Sequence, residues 1–173
     1  SLICGKTGAD SDIFFSLRLP RVIISFIVGG SLSISGSALQ IVLRNPLAEP
    51  FILGIAGSGA LGAVIAISVP GLMLSLGPFS TVQLFCFIGC LGCIALIYWF
   101  TAIRPDFSMT SILLAGVTVN IFCGAMILMV RYLAEPNLLV AMDRWMMGGL
   151  DVVGYSGIGA LIALVLPAML LLL

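Results

Sequence analysis

Residues 51–103, FILGIAGSGALGAVIAISVPGLMLSLGPFSTVQLFCFIGCLGCIALIYWFTAI, contain no Asp, Glu, Lys or Arg. A chain of 173 residues cannot hide so much apolar sequence from water, whereas a bilayer requires about 20 apolar residues for each crossing. Pro70, Gly71, Gly77 and Pro78 interrupt the stretch near its middle. The stretch therefore predicts two membrane-spanning helices.

Three further windows lack charged residues and are long enough for one crossing each: residues 22–43, 107–130 and 152–173. We therefore predict five helices, at residues 20–43, 51–69, 79–103, 110–132 and 154–173. With 61% hydrophobic residues, 8% charged residues and a mean hydropathy of +1.30, the chain is not of the soluble globular class. A net charge of zero gives no indication of a nucleic-acid partner. The predicted fold class is all-α, a polytopic transmembrane helical bundle in a lipid bilayer.

Small residues recur at four-residue spacing in three predicted helices: Gly29, Ser33 and Ser37; Gly54, Ser58, Gly62 and Ala66; Gly116, Asn120 and Gly124. Such stripes let two helices approach closely, so we expect packing seams within a bundle. Part of a stripe could instead line a path through the membrane. Asn120 is the best candidate, because an amide at mid-span needs a partner or water.

Cysteine spacing offers one further motif, since Cys90 and Cys93 match the CxxC pattern of redox and zinc sites. The chain has no His, and no cation lies near these residues to stabilise a thiolate. We therefore interpret Cys86, Cys90 and Cys93 as small packing residues, and expect no metal and no cofactor.

Every ionisable side chain lies in a connection or at the end of a predicted helix. Proton-coupled pumps and voltage sensors keep such groups inside the membrane, so any energy for transport is expected to enter through another component. Residues 138–147 can form a short helix at the membrane interface, with Trp145 and Tyr155 as interface aromatics.

The basic residues give one prediction of orientation. The connections before the first span, between the second and third, and between the fourth and fifth share one side, and hold Lys6, Arg18, Arg21, Arg131 and Arg144. The opposite side holds Arg44 and Arg104. The positive-inside rule then places the first side in the cytoplasm.

An ordered series of motifs runs through the chain: Leu17-Arg18-Leu19-Pro20-Arg21, Ser35-Gly36 with Gln40, Asn45-Pro46-Leu47-Ala48-Glu49-Pro50 with Leu53-Gly54, Leu113-Leu114-Ala115-Gly116, and Trp145-Met146-Met147-Gly148. The series resembles the permease subunit of the ABC importers for iron-siderophores, haem and cobalamin (type II importers), over essentially the whole chain. The resemblance implies that residues 1–173 are one partial permease domain of a roughly ten-helix fold, with the five spans as helices two to six. The start at Ser1 and the end within an apolar run at Leu173 agree with a fragment that lacks the first helix and the C-terminal half.

The resemblance implies an orientation opposite to that from the basic residues. It places residues 1–17 and 134–153 outside, and residues 44–50 and 101–111 in the cytoplasm. We adopt this orientation because it accounts for Arg18 and Arg21, which match external arginines that meet glutamates of a substrate-binding protein. The alternative is that both are interface anchors with snorkelling side chains.

The resemblance also implies a cytoplasmic gate built from two loops. Asn45 and Leu47 belong to the first loop, and the segment 108–111, chiefly Met109 and Thr110, forms the second. Broken backbone at membrane depth is tolerated only where protein or a water-filled path covers it. Gln40 and Asn120 are the candidate path-lining residues. The alternative is that Asn45-Pro46 only terminates a helix.

The implied function is that of an inner-membrane permease that moves a metal chelate and is not itself an enzyme. Its implied partners are a second permease copy, cytoplasmic ATPase subunits and an external substrate-binding protein. ATP hydrolysis is expected in the partner because the chain has no GxxxxGK[ST] loop. The residues do not distinguish among siderophore, haem and cobalamin.

Two other classes of protein stay open at the level of the residues. An ion-coupled secondary carrier would suit the helix break at Asn45-Pro46, but it requires a coupling group inside the membrane. An inactive fragment or scaffold of a truncated permease would also fit the missing half.

Overall fold

Helices account for nearly all of the described structure. The computed structural model describes residues 13–69, 71, 75–76, 79–103, 108–149 and 155–172. A π-helical turn, Phe14–Arg18, leads into the first of six described α-helices: α1 (Leu19–Val42), α2 (Ile55–Ser68), α3 (Thr81–Ile103), α4 (Met109–Leu133), α5 (Pro136–Met146) and α6 (Ser156–Leu172). Two short strands, β1 (Ser75–Leu76) and β2 (Phe79–Ser80), pair antiparallel between α2 and α3. The prediction of an all-α fold is confirmed.

All five predicted spans are helices, in the predicted order. Three described helices have the length and apolar composition needed to cross a membrane: Phe14–Val42, Thr81–Ile103 and Met109–Leu133. The other two are shorter, since α2 has 14 residues and α6 has 17. At 1.5 Å per residue α2 is about 21 Å long, because residues 51–54 form turns and the helix begins at Ile55. The predicted interface helix is α5, which begins at Pro136, where a proline suits the first turn.

Large apolar side chains cover the outside of these helices. Tyr132 is 89% exposed, Phe26 84% and Leu171 88%. Exposure on this scale is unfavourable in water but expected against lipid, where the helices satisfy their own backbone hydrogen bonds. The surface therefore agrees with a protein embedded in a bilayer.

The chain divides into two compact units, and residues 39–148 form the larger. Within it α2 packs against α3, α4 and α5. Val64, Ile67, Ile127 and Met142 form a buried cluster where α5 meets α2 and α4, and the Met142 side chain is fully buried. Met142 of α5 thus packs between α2 and α4, and van der Waals contacts of this kind hold helices together in a bilayer.

The seam between α2 and α3 depends on missing side chains. A Cβ at Gly62 would fall on the carbonyl oxygen of Phe85, and a Cβ at Gly89 would fall on that of Ser58. The predicted stripe on α2 is therefore a packing seam. A Cβ at Gly29 would meet no atom of the described residues within 4 Å, so a seam on α1 stays a prediction.

The other unit comprises residues 1–38 and 149–173. Its described part contains most of α1 together with α6, and between them lies an apolar groove of ≈ 280 Å³ lined by Phe26, Ile27, Gly30, Ile162, Val165, Leu166 and Met169. The Tyr155 hydroxyl donates a hydrogen bond of 2.9 Å to the carbonyl oxygen of Phe15. This bond ties the π-helical turn to the start of α6.

Candidate functional site

The first predicted gate loop begins where α1 ends in a Schellman motif. The Asn45 N–H donates to the carbonyl of Gln40 at 3.1 Å, and the Arg44 N–H donates to that of Ile41 at 3.2 Å. Arg44 has φ 46°, the left-handed conformation that this motif requires and that glycine usually supplies. Pro46 follows, so the chain turns away from the α1 axis at a defined residue.

The loop itself is a chain of hydrogen-bonded turns. The Asn45 Oδ1 accepts from the Leu47 N–H at 3.0 Å, and the Asn45 carbonyl accepts from the Ala48 N–H at 3.1 Å. The Ile52 N–H then donates to the carbonyl of Glu49 at 3.1 Å. Within this ordered loop the side chain of Leu47 is 76% exposed, whereas that of Ala48 is 1% exposed. Leu47 is therefore one of the side chains that the loop presents outward, together with the exposed Phe51.

Two glycines, one after this loop and one on α4, allow the loop to lie close to α4. Gly54 has φ 75°, and a Cβ there would lie 2.7 Å from the carbonyl oxygen of Gly116. A Cβ at Gly116 would in turn lie 2.6 Å from the carbonyl oxygen of Ile52 and 2.7 Å from the Cα of Leu53. The Leu53-Gly54 and Leu113–Gly116 motifs are therefore two sides of one backbone contact.

The second predicted gate segment lies at the start of α4. Ser108 caps this helix, because its Oγ accepts a hydrogen bond from the Ser111 N–H. Met109 and Thr110 occupy the first turn and are exposed. Ile112 and Leu113, in the same stretch of helix, pack against the buried cluster of Leu43, Ala48 and Leu53. The two loops are thus joined at one end of the larger unit.

The candidate path-lining residues have different surroundings. Gln40 is exposed on the last turns of α1. Asn120 is half-buried on α4, and its Oδ1 occupies the space that a Cβ of Gly57 would take. Asn120 therefore lies in the seam between α2 and α4, where Gly57 makes room for its amide.

The predicted docking arginines flank a buried proline. Arg18 ends the π-helical turn, Arg21 lies in the first turn of α1, and both are exposed while Pro20 is buried. The hydrogen bond from Tyr155 to Phe15 holds the turn that carries Arg18. Residues 1–12 and 150–153 of the predicted outer segments lie outside the described residues, and so do residues 104–107 of the predicted cytoplasmic segment.

An ion pair that sequence analysis did not predict joins α4 to α5. The Arg131 guanidinium donates to Asp143 Oδ1 at 2.5 Å, and the same nitrogen lies 3.7 Å from the sulfur of Met146. The Trp145–Gly148 motif lies beside it: Trp145 packs on the buried cluster around Met142, and Gly148 has φ 74° where α5 ends. The only sequence signal for the pair was two opposite charges near the ends of adjacent helices.

Among the described residues, no group of three or more His, Cys, Asp or Glu side chains is arranged to hold a metal ion. The four described cysteines, Cys86, Cys90, Cys93 and Cys123, are free thiols. Three of them contact α2, and each contact involves a small residue or a carbonyl group. Their interpretation as packing residues agrees with these contacts.

Long apolar helices, broken loops between them and an exposed apolar surface define an integral membrane protein of the helical-bundle class. All of residues 1–173 match the FecCD transport family. The chain is 33% identical over 157 residues to an ABC transporter permease protein of Bacillus subtilis, and the alignment covers 88% of this chain and 44% of that protein. The chain belongs to the FecCD transport family.

Two further relatives carry substrate names. The chain is 33% identical over 159 residues to the hemin transport system permease protein of Yersinia pestis, covering 92% of this chain and 47% of that protein. It is 33% identical over 164 residues to the vitamin B12 import system permease protein of Citrobacter koseri, and the alignment covers 91% of this chain and 47% of that protein. The chain thus spans about half the length of the curated relatives it matches.

A solved structure has the same fold. A metal-chelate type ABC transporter in an inward-facing conformation matches with a TM-score of 0.75 and 24% sequence identity, over 98% of this chain and 51% of that chain. The fold described above has therefore already been observed in the structure of a transporter.

Proposed function

We propose that this chain is part of the permease subunit of an ABC importer that moves a metal chelate across the inner membrane. The observation that carries the proposal is the match of all 173 residues to the FecCD transport family. The relatives named for hemin and vitamin B12 support a large metal chelate as the substrate class. The particular chelate is left open, and the chain acts as a transporter component, not as an enzyme.

The proposed partners follow from the same family. A second permease copy would complete the path, an external substrate-binding protein would deliver the chelate, and cytoplasmic ATPase subunits would supply energy. Residues 1–173 would form part of one permease domain in each copy. In the described long helices the acidic and basic side chains lie near the ends, which favours energy input from a partner over a proton relay.

The gate is proposed at Asn45, Leu47, Met109 and Thr110. The two loops are ordered by their own hydrogen bonds and joined through the cluster of Leu43, Ala48 and Leu53 with Ile112 and Leu113. An apolar constriction can close a path without charge by excluding water. Of the four proposed gate residues, Leu47 and Met109 have exposed apolar side chains that suit this role.

Arg18 and Arg21 are proposed to dock the substrate-binding protein, with Gln40 and Asn120 along the path. Both arginines are exposed beside a buried proline, so their spacing is set by rigid backbone. Paired positive charges of this kind accelerate encounter with an acidic surface. Residues 1–17 and 134–153 would then face outward.

An uptake experiment tests the proposal. Cells that cannot import haem, cobalamin or ferric siderophores receive the gene that encodes this chain, together with the cognate ATPase and binding protein. We expect uptake of one class of labelled chelate, and we expect it to be lost when the phosphate-loop lysine of the ATPase is replaced. Uptake that depends on the proton gradient and does not depend on the ATPase would indicate an ion-coupled carrier. Absence of uptake of every chelate would indicate a scaffold or remnant.

A further inference from the structure

The cysteines of α3 and α4 face one short part of α2 and the turn before it. The Cys90 thiol donates to the carbonyl of Ile55, and the Cys93 thiol to the carbonyl of Leu53, each at 3.5 Å. Cys123 Sγ lies 3.4 Å from Ser58 Oγ. Several sulfur atoms are therefore held between helices in an apolar environment, apart from the proposed gate and docking residues.

Two of these sulfurs share a single point on α2. Cys86 and Cys90 are one helical turn apart on α3 and so lie on the same face. A Cβ at Gly59 would lie 2.7 Å from Cys90 Sγ and 3.1 Å from Cys86 Sγ. Gly59 is buried and both cysteines are half-buried. The absent side chain of Gly59 thus leaves both thiols side by side.

We propose that Cys86 and Cys90 form a two-coordinate binding site for a thiophilic d10 cation, for which Hg²⁺ is the best match. Ca²⁺ and Mg²⁺ require a shell of oxygen ligands, and Zn²⁺ in structural sites requires four ligands. The chain has no His, and the described residues hold no set of three or more metal-ligating side chains. A cation that is satisfied by two soft thiolates is the class that remains.

Charge selects Hg²⁺ within this class. Binding replaces two S–H bonds by two Hg–S bonds and releases two protons to water, so the bound complex is neutral. A monovalent ion such as Cu⁺ would leave one net negative charge between apolar helices, which is costly at membrane depth. The neutral complex of Hg²⁺ with two thiolates is therefore less costly in this seam than the negatively charged complex with Cu⁺.

The test uses the complete permease that contains this chain, purified in detergent micelles with HgCl₂ and a large excess of glutathione. Competition with a monothiol removes Hg²⁺ from single cysteines, whereas two preorganised thiols retain it through their high effective concentration. We expect one tightly held Hg²⁺ per chain by mass spectrometry of the intact protein. The variants C86S and C90S should each retain Hg²⁺ about 100-fold less well, whereas the matched control C93S/C123S should retain it as the wild type does.

A second measurement keeps the proposal testable if a variant fails to fold. In the wild-type chain bound Hg²⁺ should protect Cys86 and Cys90 from alkylation by a maleimide, which peptide mapping detects. Equal retention of Hg²⁺ by wild type and C86S/C90S would overturn the proposal. So would loss of retention in C93S/C123S alone, or protection confined to other cysteines.

Discussion

At the scale of single residues, the family motifs correspond to particular backbone requirements. Gly148 takes a left-handed φ at the end of α5, and Gly54 takes one at the start of α2. Gly116 has ordinary helical backbone but lies against the loop, at a distance where a side chain would collide with Ile52 and Leu53. These motifs therefore contain glycine because the backbone there either takes a left-handed φ or lies against the backbone of another segment.

Replacement of Gly116 by Ala should destabilise the fold, because the new Cβ would meet backbone atoms that cannot rotate away. Overpacking of this kind costs about 1–3 kcal/mol. The matched control is G124A on the same helix, where a Cβ would meet nothing among the described residues within 4 Å and where alanine gains up to about 1 kcal/mol in helix propensity. Thermal unfolding in detergent should rank G116A well below G124A, and equal stability would contradict the proposed contact.

Charge reversal at the docking arginines should weaken association with the binding protein. The double variant R18E/R21E in the complete permease should slow association about tenfold or more at low ionic strength, as measured by surface plasmon resonance. The control R18K/R21K keeps both charges and should retain most of the rate. If R18E/R21E associates and supports uptake as the wild type does, the arginines serve only as interface anchors.

At the scale of elements, α2 is short because the loop before it occupies part of its predicted length. Its stripe of small residues accommodates α3 through Gly62, and Gly57, outside that stripe, accommodates Asn120 of α4. At the other end of the larger unit, α5 is held by Met142 in the buried cluster and by the pair of Arg131 with Asp143. Close backbone packing and the ion pair of Arg131 with Asp143 thus help to hold together the described part of the larger unit.

A disulfide between the two gate loops should close the proposed path. Cysteines placed at positions 47 and 109, in the complete dimeric permease without native cysteines, should crosslink on oxidation and block uptake until reduced. A pair at positions 47 and 147 is the control and should not crosslink. If the Cα atoms of positions 47 and 109 stay more than about 7 Å apart in every state, no disulfide can form, and the gate assignment is wrong.

The ion pair between α4 and α5 should contribute modestly. Arg131 is 27% exposed and Asp143 45%, so a double-mutant cycle with R131Q and D143N should give a coupling energy of about 0.5–1 kcal/mol. The coupling should fall as salt is added, because partly exposed charges are screened. The swapped variant R131D/D143R should recover part of the stability lost by either single reversal. A cycle with no coupling at low salt would show that the pair does not fasten α5.

At the scale of the whole molecule, hydropathy and family membership lead to the same class of protein. Apolar side chains cover the described helices, and all residues match the FecCD transport family. The two predictions of orientation disagree. The basic residues place the connection before the first span in the cytoplasm, whereas the family places it outside. The family orientation requires the loop at Leu47 to face the cytoplasm and the end of α5 to face outward.

Labelling of single cysteines in intact cells should decide the orientation. Leu47 and Met147 are suitable positions because their side chains are 76% and 85% exposed, whereas Ala48 is buried. In a background without native cysteines, an impermeant maleimide should label M147C from outside and label L47C only after the cells are opened. The reverse pattern would support the positive-inside prediction and contradict the family orientation.

The helices, the membrane location and the family could all be predicted from local features of the sequence. A bilayer crossing depends on local length and hydropathy, so charge-free windows predicted α1 to α4 and α6 within a few residues. Proline at position 46 also marked the end of α1, whereas α5 begins at Pro136, two residues before the predicted helix at 138–147.

Contacts between residues that are distant in sequence could not be predicted and are known from the folded structure. Gly54 lies on Gly116, Arg131 pairs with Asp143, and the thiols of Cys86 and Cys90 share the space beside Gly59. Such pairings depend on how each helix is rotated about its axis and how closely it approaches its neighbours. A stripe of small residues indicates that a helix can be approached closely, but it does not specify the partner.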